Sequence, residues 1–224
     1  MVYKIEHVFN APFAKPNGLE TAADGLWAVD QVTERVAKLS YQDGSVLAAV
    51  ETESHNTSGL TYGDDALWLA ANGRNPFRDP RPTDFDYGRI LKVHPTSGAT
   101  LSAHRMPDGG GVHGIEWAEG MLWLTTLRTQ TLSQVNPDTF EVLHRIPVPH
   151  TRAHGLAWDG GYIWCVHTSH RVIVKLDARD GRIAETIEVK EPHPEPHGLT
   201  LHDGVLWYCD AESGAICRIL MSGT

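Results

Sequence analysis

The chain writes one phrase five times: NGLETAADGLWAVD from Asn17, SGLTYGDDALWLAA from Ser58, HGIEWAEGMLWLTT from His113, HGLAWDGGYIWCVH from His154 and HGLTLHDGVLWYCD from His197. A Gly recurs at 18, 59, 114, 155 and 198 and a Trp at 27, 68, 123, 164 and 207, in steps of 41, 55, 41 and 43. Self-similarity at that period confines the chain to a solenoid or a propeller. In each unit alternating apolar residues flank a turn signal, and a second alternating pair follows, as in RVAKLSYQDGSVLAAVE and RVIVKLDARDGRIAETIEV. Alternation around tight turns predicts antiparallel hairpins. Two hairpins per unit make four strands, the content of a propeller blade.

The chain ends decide between an open and a closed array. The last unit stops at ICRIL, one strand short, while VYKIEHVF at the start is a strand with no partner before the first blade. Joining the two leaves no unpaired edge, and neither end reads as the polar cap of a solenoid. The predicted fold is therefore all-β: one domain over 1–224, a five-bladed propeller of four-stranded antiparallel blades, closed by its N-terminal strand.

Propeller topology then sorts residues by face. The position before each repeat Gly and the position three after each repeat Trp fall on the same face, near the channel mouth. The first ring is Asn17, Ser58, His113, His154 and His197; the second is Asp30, Ala71, Thr126, His167 and Asp210. The 55-residue step marks an insertion, Asn72 to Gly88, whose Pro, Arg, Asp and aromatic content suits a structured binding loop or lid over that mouth.

Of thirteen His, three fall in one register on consecutive blades. Neutral imidazoles from adjacent blades suit a divalent cation with open positions for water or substrate, and the ligand type admits zinc, iron, manganese, nickel, cobalt or magnesium. His113, His154 and His197 are the expected ligands. His167 and Asp210 stand beside them as a proton carrier or an orienting partner. Glu116, three residues past His113, is a candidate base or further ligand. Asn17, Ser58 and Asp30 complete the mouth as substrate contacts, and Arg74 and Arg78 of the insertion are placed to receive an anionic group. His150 and His193 fall in Pro-broken loops and read as rim residues. The competing use of the same histidines is to cap loop carbonyls, or to bind a ligand or protein without catalysis.

Composition excludes other classes. With 19 Lys and Arg against 28 Asp and Glu, and no basic stripe, neither nucleic acid nor an anionic membrane is an expected partner. No apolar run reaches the about 18 residues of a spanning helix, and the N-terminus lacks the layout of a signal peptide, so a cytoplasmic location is expected. Cys165, Cys209 and Cys217 imply no disulfide framework, although the turn at Glu212 to Gly214 sets Cys209 and Cys217 opposite each other. Phosphate-cradling loops, dinucleotide fingerprints and the G-x-S-x-G elbow are missing from the sequence.

PHGLTLHDGVLW and AHGLAWDGGYIW resemble the repeats of the virginiamycin B lyases (streptogramin lyases), propellers in which His and Glu hold magnesium for elimination chemistry. GIEWAEGMLWLTTLRTQTLSQVNPDTFEVLHRI is similar to a repeat of the glutamine cyclotransferases, five-bladed propellers with a metal in the channel. The lyase pattern maps onto His113, His154 and His197, and the cyclotransferase acidic position onto Glu116. The resemblance implies a metal-dependent lyase or hydrolase acting on a small molecule, with glutaminyl cyclisation as an alternative.

Overall fold

The computed structural model describes residues 2–222, which form five antiparallel sheets of four strands and no α-helix among the described residues. The first blade comprises β2 (Pro16–Ala22), β3 (Gly25–Asp30), β4 (Val36–Leu39) and β5 (Val46–Val50). The second comprises β6 (Thr57–Gly63), β7 (Ala66–Asn72), β8 (Gly88–Val93) and β9 (Thr100–Arg105). The third comprises β10 (Ile115–Ala118), β11 (Met121–Thr126), β12 (Thr131–Val135) and β13 (Val142–Pro147). The fourth comprises β14 (Ala153–Asp159), β15 (Tyr162–His167), β16 (Val172–Asp177) and β17 (Ile183–Glu188). The fifth takes β18 (Leu199–His202), β19 (Val205–Cys209) and β20 (Ala215–Ser222), and its outer strand is β1 (Val2–Asn10), paired with β20 from Tyr3↔Met221 to Asn10↔Ala215. The chain closes its own ring, as the incomplete last repeat requires.

The innermost strands β2, β6, β10, β14 and β18 touch in cyclic order around the axis. The repeat glycines permit this. A Cβ on Gly18 would stand 2.7 Å from the Leu60 nitrogen, and one on Gly198 would stand 2.7 Å from the Asn17 carbonyl oxygen, closer than a methyl group tolerates. Neighbouring blades thus meet backbone against backbone. The repeat tryptophans fill the wedges between blades: each is buried in an apolar cluster shared with a neighbouring blade, Trp68 with Ile115 and Leu122, Trp164 with Leu206 and Tyr208. Alternation in the sequence therefore records five inter-blade cores rather than one central core.

The register corrects one sequence expectation. Cys217 pairs with Tyr208, and Cys209 with Ile216, so the two thiols point to opposite faces of the sheet and enter different inter-blade cores. All three cysteines are free and buried, and burial pushes their thiols far above the ordinary range.

Candidate functional site

His113, His154 and His197 come together at one mouth of the axis. The imidazole centroids of His113 and His154 lie 4.5 Å apart, and those of His154 and His197 5.1 Å apart. Backbone contacts fix the segments. The Thr125 hydroxyl accepts from the amides of His113 and Gly114 (3.0 and 2.8 Å), the His197 amide donates to the Cys209 carbonyl (2.8 Å), and the Gly155 amide donates across the blade boundary to the His197 carbonyl (2.9 Å).

Burial and crowding keep the three rings neutral, because a proton on any of them would be poorly solvated and close to like charge. His113 is pushed down to about 4 by burial, with the Arg152 and His197 charges adding to it. His154 is held well below the histidine range by burial and by His113, His197 and Arg152. His197 is lowered by burial, against partial support from the Glu195 carbonyl and Asp210. The Nδ1 atoms of His113 and His154 are buried without a hydrogen-bond partner among the described residues. His197 Nδ1 lies 3.3 Å from the Glu195 carbonyl oxygen and 3.8 Å from Asp210 Oδ1.

The donor chemistry is that of a borderline divalent cation, but the directions are not. Among the described residues no group of three or more His, Cys, Asp or Glu side chains is disposed to hold a metal ion. The three rings pack against one another, tilted by 42° and 80°. A metal-bearing site would require them to turn.

Glu116 does not reach this cluster. The five glycines close the channel beneath the histidines to a void of about 10 Å³, room for one water, and Glu116 lies beyond them. There it shares a buried layer with Glu20, Thr61 and Thr200. Glu20 accepts from the Thr61 hydroxyl (2.5 Å), the Thr200 hydroxyl (3.2 Å) and the Thr21 amide (2.6 Å); Glu116 accepts from the Trp158 amide (3.0 Å), and its Oε2 has no partner among the described residues. Burial raises Glu20 to about 7, and burial plus the Glu20 charge raises Glu116 well above its usual value. Burial thus favours the protonated form of Glu116, which lies beneath the glycine ring and away from the histidine mouth.

The remaining candidates divide in the same manner. His167 joins a second histidine cluster, 5.1 Å from His150, which stacks on His170 at 4.6 Å; burial lowers His167 to about 4. Asp210 stays near His197 but spends its carboxylate on the following turn, accepting from the Glu212 amide and the Ser213 hydroxyl. Asp30 is committed likewise to Lys15, Val32 and Thr33, so it is a loop anchor and not an open substrate contact. Asn17 hydrogen-bonds Gln31 (2.8 Å), and Ser58 accepts from Asn72 (3.1 Å).

The insertion packs on blade one. Asn75 donates to Gln31 and Glu34, Arg81 donates to Thr33, and Lys15 lies over Phe77. Arg78 makes a two-pronged ion pair with Asp84, both bonds 2.7 Å, and reaches toward buried Glu34 at 3.7 Å. It is locked into the loop and not free for an anion. Arg74 is exposed.

Two residues escaped the sequence reading. The Arg152 charge acts on all three mouth histidines, and the sequence signal was its place inside HTRAH, two residues before His154. Thr125 anchors His113, and nothing in its surroundings in the sequence marks it.

The chain is similar in fold to a glutaminyl cyclase. The Myxococcus xanthus glutaminyl cyclase superposes with a TM-score of 0.75 at 14% identity, over 97% of this chain and 95% of that one. A streptogramin B lyase gives 0.58 at 15% identity, over 98% of each chain. Virginiamycin B lyase from Staphylococcus aureus, determined with quinupristin, gives 0.55 at 20%, over 94% of this chain and 68% of that one. No family model and no curated protein matches the sequence. At these identities the likeness establishes the propeller architecture; activity must be argued from the site.

Proposed function

We propose that this protein is an enzyme acting on a small molecule at the histidine mouth, by elimination or hydrolysis. The observation that carries the reading is the packed trio of His113, His154 and His197, kept neutral by burial with two ring nitrogens unpaired. A neutral imidazole with a free nitrogen is a proton acceptor at physiological pH, and the nearby Arg152 guanidinium supplies the charge to hold an anionic or oxyanionic group. The unpaired Nδ1 atoms of His113 and His154 also favour a second form of the reading, in which the turned rings hold a divalent cation; that ion would polarise a carbonyl or activate water.

The test combines metal content with turnover. Purified protein is assayed on a streptogramin such as quinupristin, on peptides with N-terminal Gln and on a panel of small anionic esters and lactones, beside a variant with His113, His154 and His197 all changed to Asn. The expected result is turnover of an ester or lactone that is lost in the variant while thermal unfolding stays cooperative. Pyroglutamate formation would move the reading to glutaminyl cyclisation, and tight ligand binding without turnover would make the protein a binding module. Less than about a tenth of an equivalent of transition metal, with no response to added metal, would remove the cation.

A further inference from the structure

On the face opposite the histidines, four of the five blades set a basic residue across from the repeat tryptophan. The residue paired with the repeat Trp on the next strand is Lys38 for Trp27, Lys92 for Trp68, Lys175 for Trp164 and Arg218 for Trp207. The three lysine ammonium groups stand 5.1 to 5.3 Å from the indole rings and pair with Asp24, Asp64 and Asp159. Arg218 pairs with Glu6. A cation over an indole ring, neutralised by a carboxylate, thus recurs in blades one, two and four.

Blade three breaks the rule on one side only. Its Trp123 pairs with Gln134, a neutral amide, while Glu119 keeps the turn position that Asp64 holds in blade two. Glu119 has no ion-pair partner among the described residues, and it is exposed. The blade keeps the acid and the indole and lacks the cation.

The neighbourhood is built as a recess. A groove of about 610 Å³ lies between blades three and four, with Trp123, Gln134 and His144 at one wall and Trp158 and Tyr162 at the other. Grooves of about 680 and 340 Å³ between blades one and two and between blades two and three hold Lys38 and Lys92. Two buried polar atoms in the blade-three groove have no partner among the described residues: Trp123 Nε1 and His144 Nε2. The equivalent indole nitrogens of Trp68 and Trp164 donate to the Gly63 carbonyl and the Asp159 carboxylate. Arg179 also lines the groove, but its charge is cancelled by a two-pronged pair with Asp177, so Glu119 leaves the recess net negative.

We infer that this groove binds a small organic ammonium compound, its charge set between Glu119 and the aromatic walls and supplying the cation that lysine supplies in blades one, two and four. Aromatic walls with one carboxylate are what recognition of an organic cation requires. The inference stands apart from the histidine mouth and does not depend on any activity there.

The probe is 4-aminobutan-1-ol, measured against its neutral counterpart butane-1,4-diol by saturation-transfer NMR and calorimetry on the full-length protein. The expected result is binding of the amine at one site, with the diol at least about tenfold weaker. Gln134→Lys rebuilds the arrangement of the other blades, so it should fold normally and lose amine binding by about tenfold or more; Glu119→Gln should weaken it in the same direction and serves if the lysine variant is unstable. Equal binding of amine and diol, undiminished amine binding to both variants, or no binding of the amine at millimolar concentration would overturn the inference.

Discussion

Replacing Glu116 by Gln should stabilise the protein, and increasingly so as pH rises. Two carboxyl groups share the sealed channel layer, and the raised pKa of each measures how poorly that layer accepts charge. A carboxyl whose pKa is higher folded than unfolded binds its proton more tightly in the native state, so stability is fully present at low pH and falls as pH passes from the unfolded value toward the folded one. For Glu20 the window runs from the ordinary 4.5 to about 7. At about 1.4 kcal/mol per pKa unit, this single group removes roughly 3 kcal/mol of stability by pH 8. The amide of a Glu116→Gln variant can still accept from the Trp158 backbone N–H through its Oε1, and it has no proton to bind more tightly in the folded state, so the loss of the same sign that the raised Glu116 carboxyl contributes disappears. The variant should therefore be more stable than the parent by roughly 1 to 3 kcal/mol at pH 8, a rise of about 2 to 10 °C in Tm for a chain this size, and near parity at pH 4.5. Urea unfolding of both proteins from pH 4.5 to 8.5 reads this directly. The buried histidines titrate in the acid part of the range with the opposite sign, their stabilisation being lost as pH falls from 6.5 toward 4, but they are common to both proteins and cancel in the difference. A stability difference that does not change with pH, or a variant weaker at pH 8, would refute the account of the channel layer.

Two further outcomes test the frame and the insertion. Gly114→Ala would drive a methyl group into the His154 carbonyl of the next blade, where no rotamer can relieve it, so unfolding midpoints should drop by the equivalent of about 3 kcal/mol or the protein should fail to accumulate. Arg78→Ala leaves Asp84 and buried Glu34 without their cation; denaturant titration should show a loss of about 3 kcal/mol, while ligand affinity at the histidine mouth stays unchanged. A large affinity loss with intact stability would return Arg78 to the substrate.

The five blades and the closing strand were legible because the features that build them are local and repeated. A glycine wherever inner strands meet, a tryptophan wherever a wedge must be filled and a turn signal between them recur at one spacing, and the missing last strand points to the first. The grouping of His113, His154 and His197 was legible for the same reason: positions equivalent in the repeat are brought round one axis. What neighbours spend their polar atoms on was not legible. Asp30, Asp210 and Arg78 have the right chemistry and stand on the right face, yet turn amides and a partner carboxylate within the loops claim them first, as hydrogen bonding demands of buried charge. Glu116 stands only three residues past His113 in the sequence, but the backbone contact of five glycines between them, which narrows the channel, exists only when the blades pack.

Arg152 and the neutral Gln134 opposite Trp123 show the same division from the other side. Repeat spacing determines which residues are equivalent; it does not determine which member of a set of equivalents has lost its partner until strands from different blades stand side by side. The sequence by itself determined the ring, its closure and the face on which three histidines gather. The tertiary structure decided which groups are neutral, which are already bonded and which remain open to a ligand, because desolvation and hydrogen-bond competition depend on neighbours a whole blade away along the chain, as Trp158 is from Glu116 and Thr61 from Glu20.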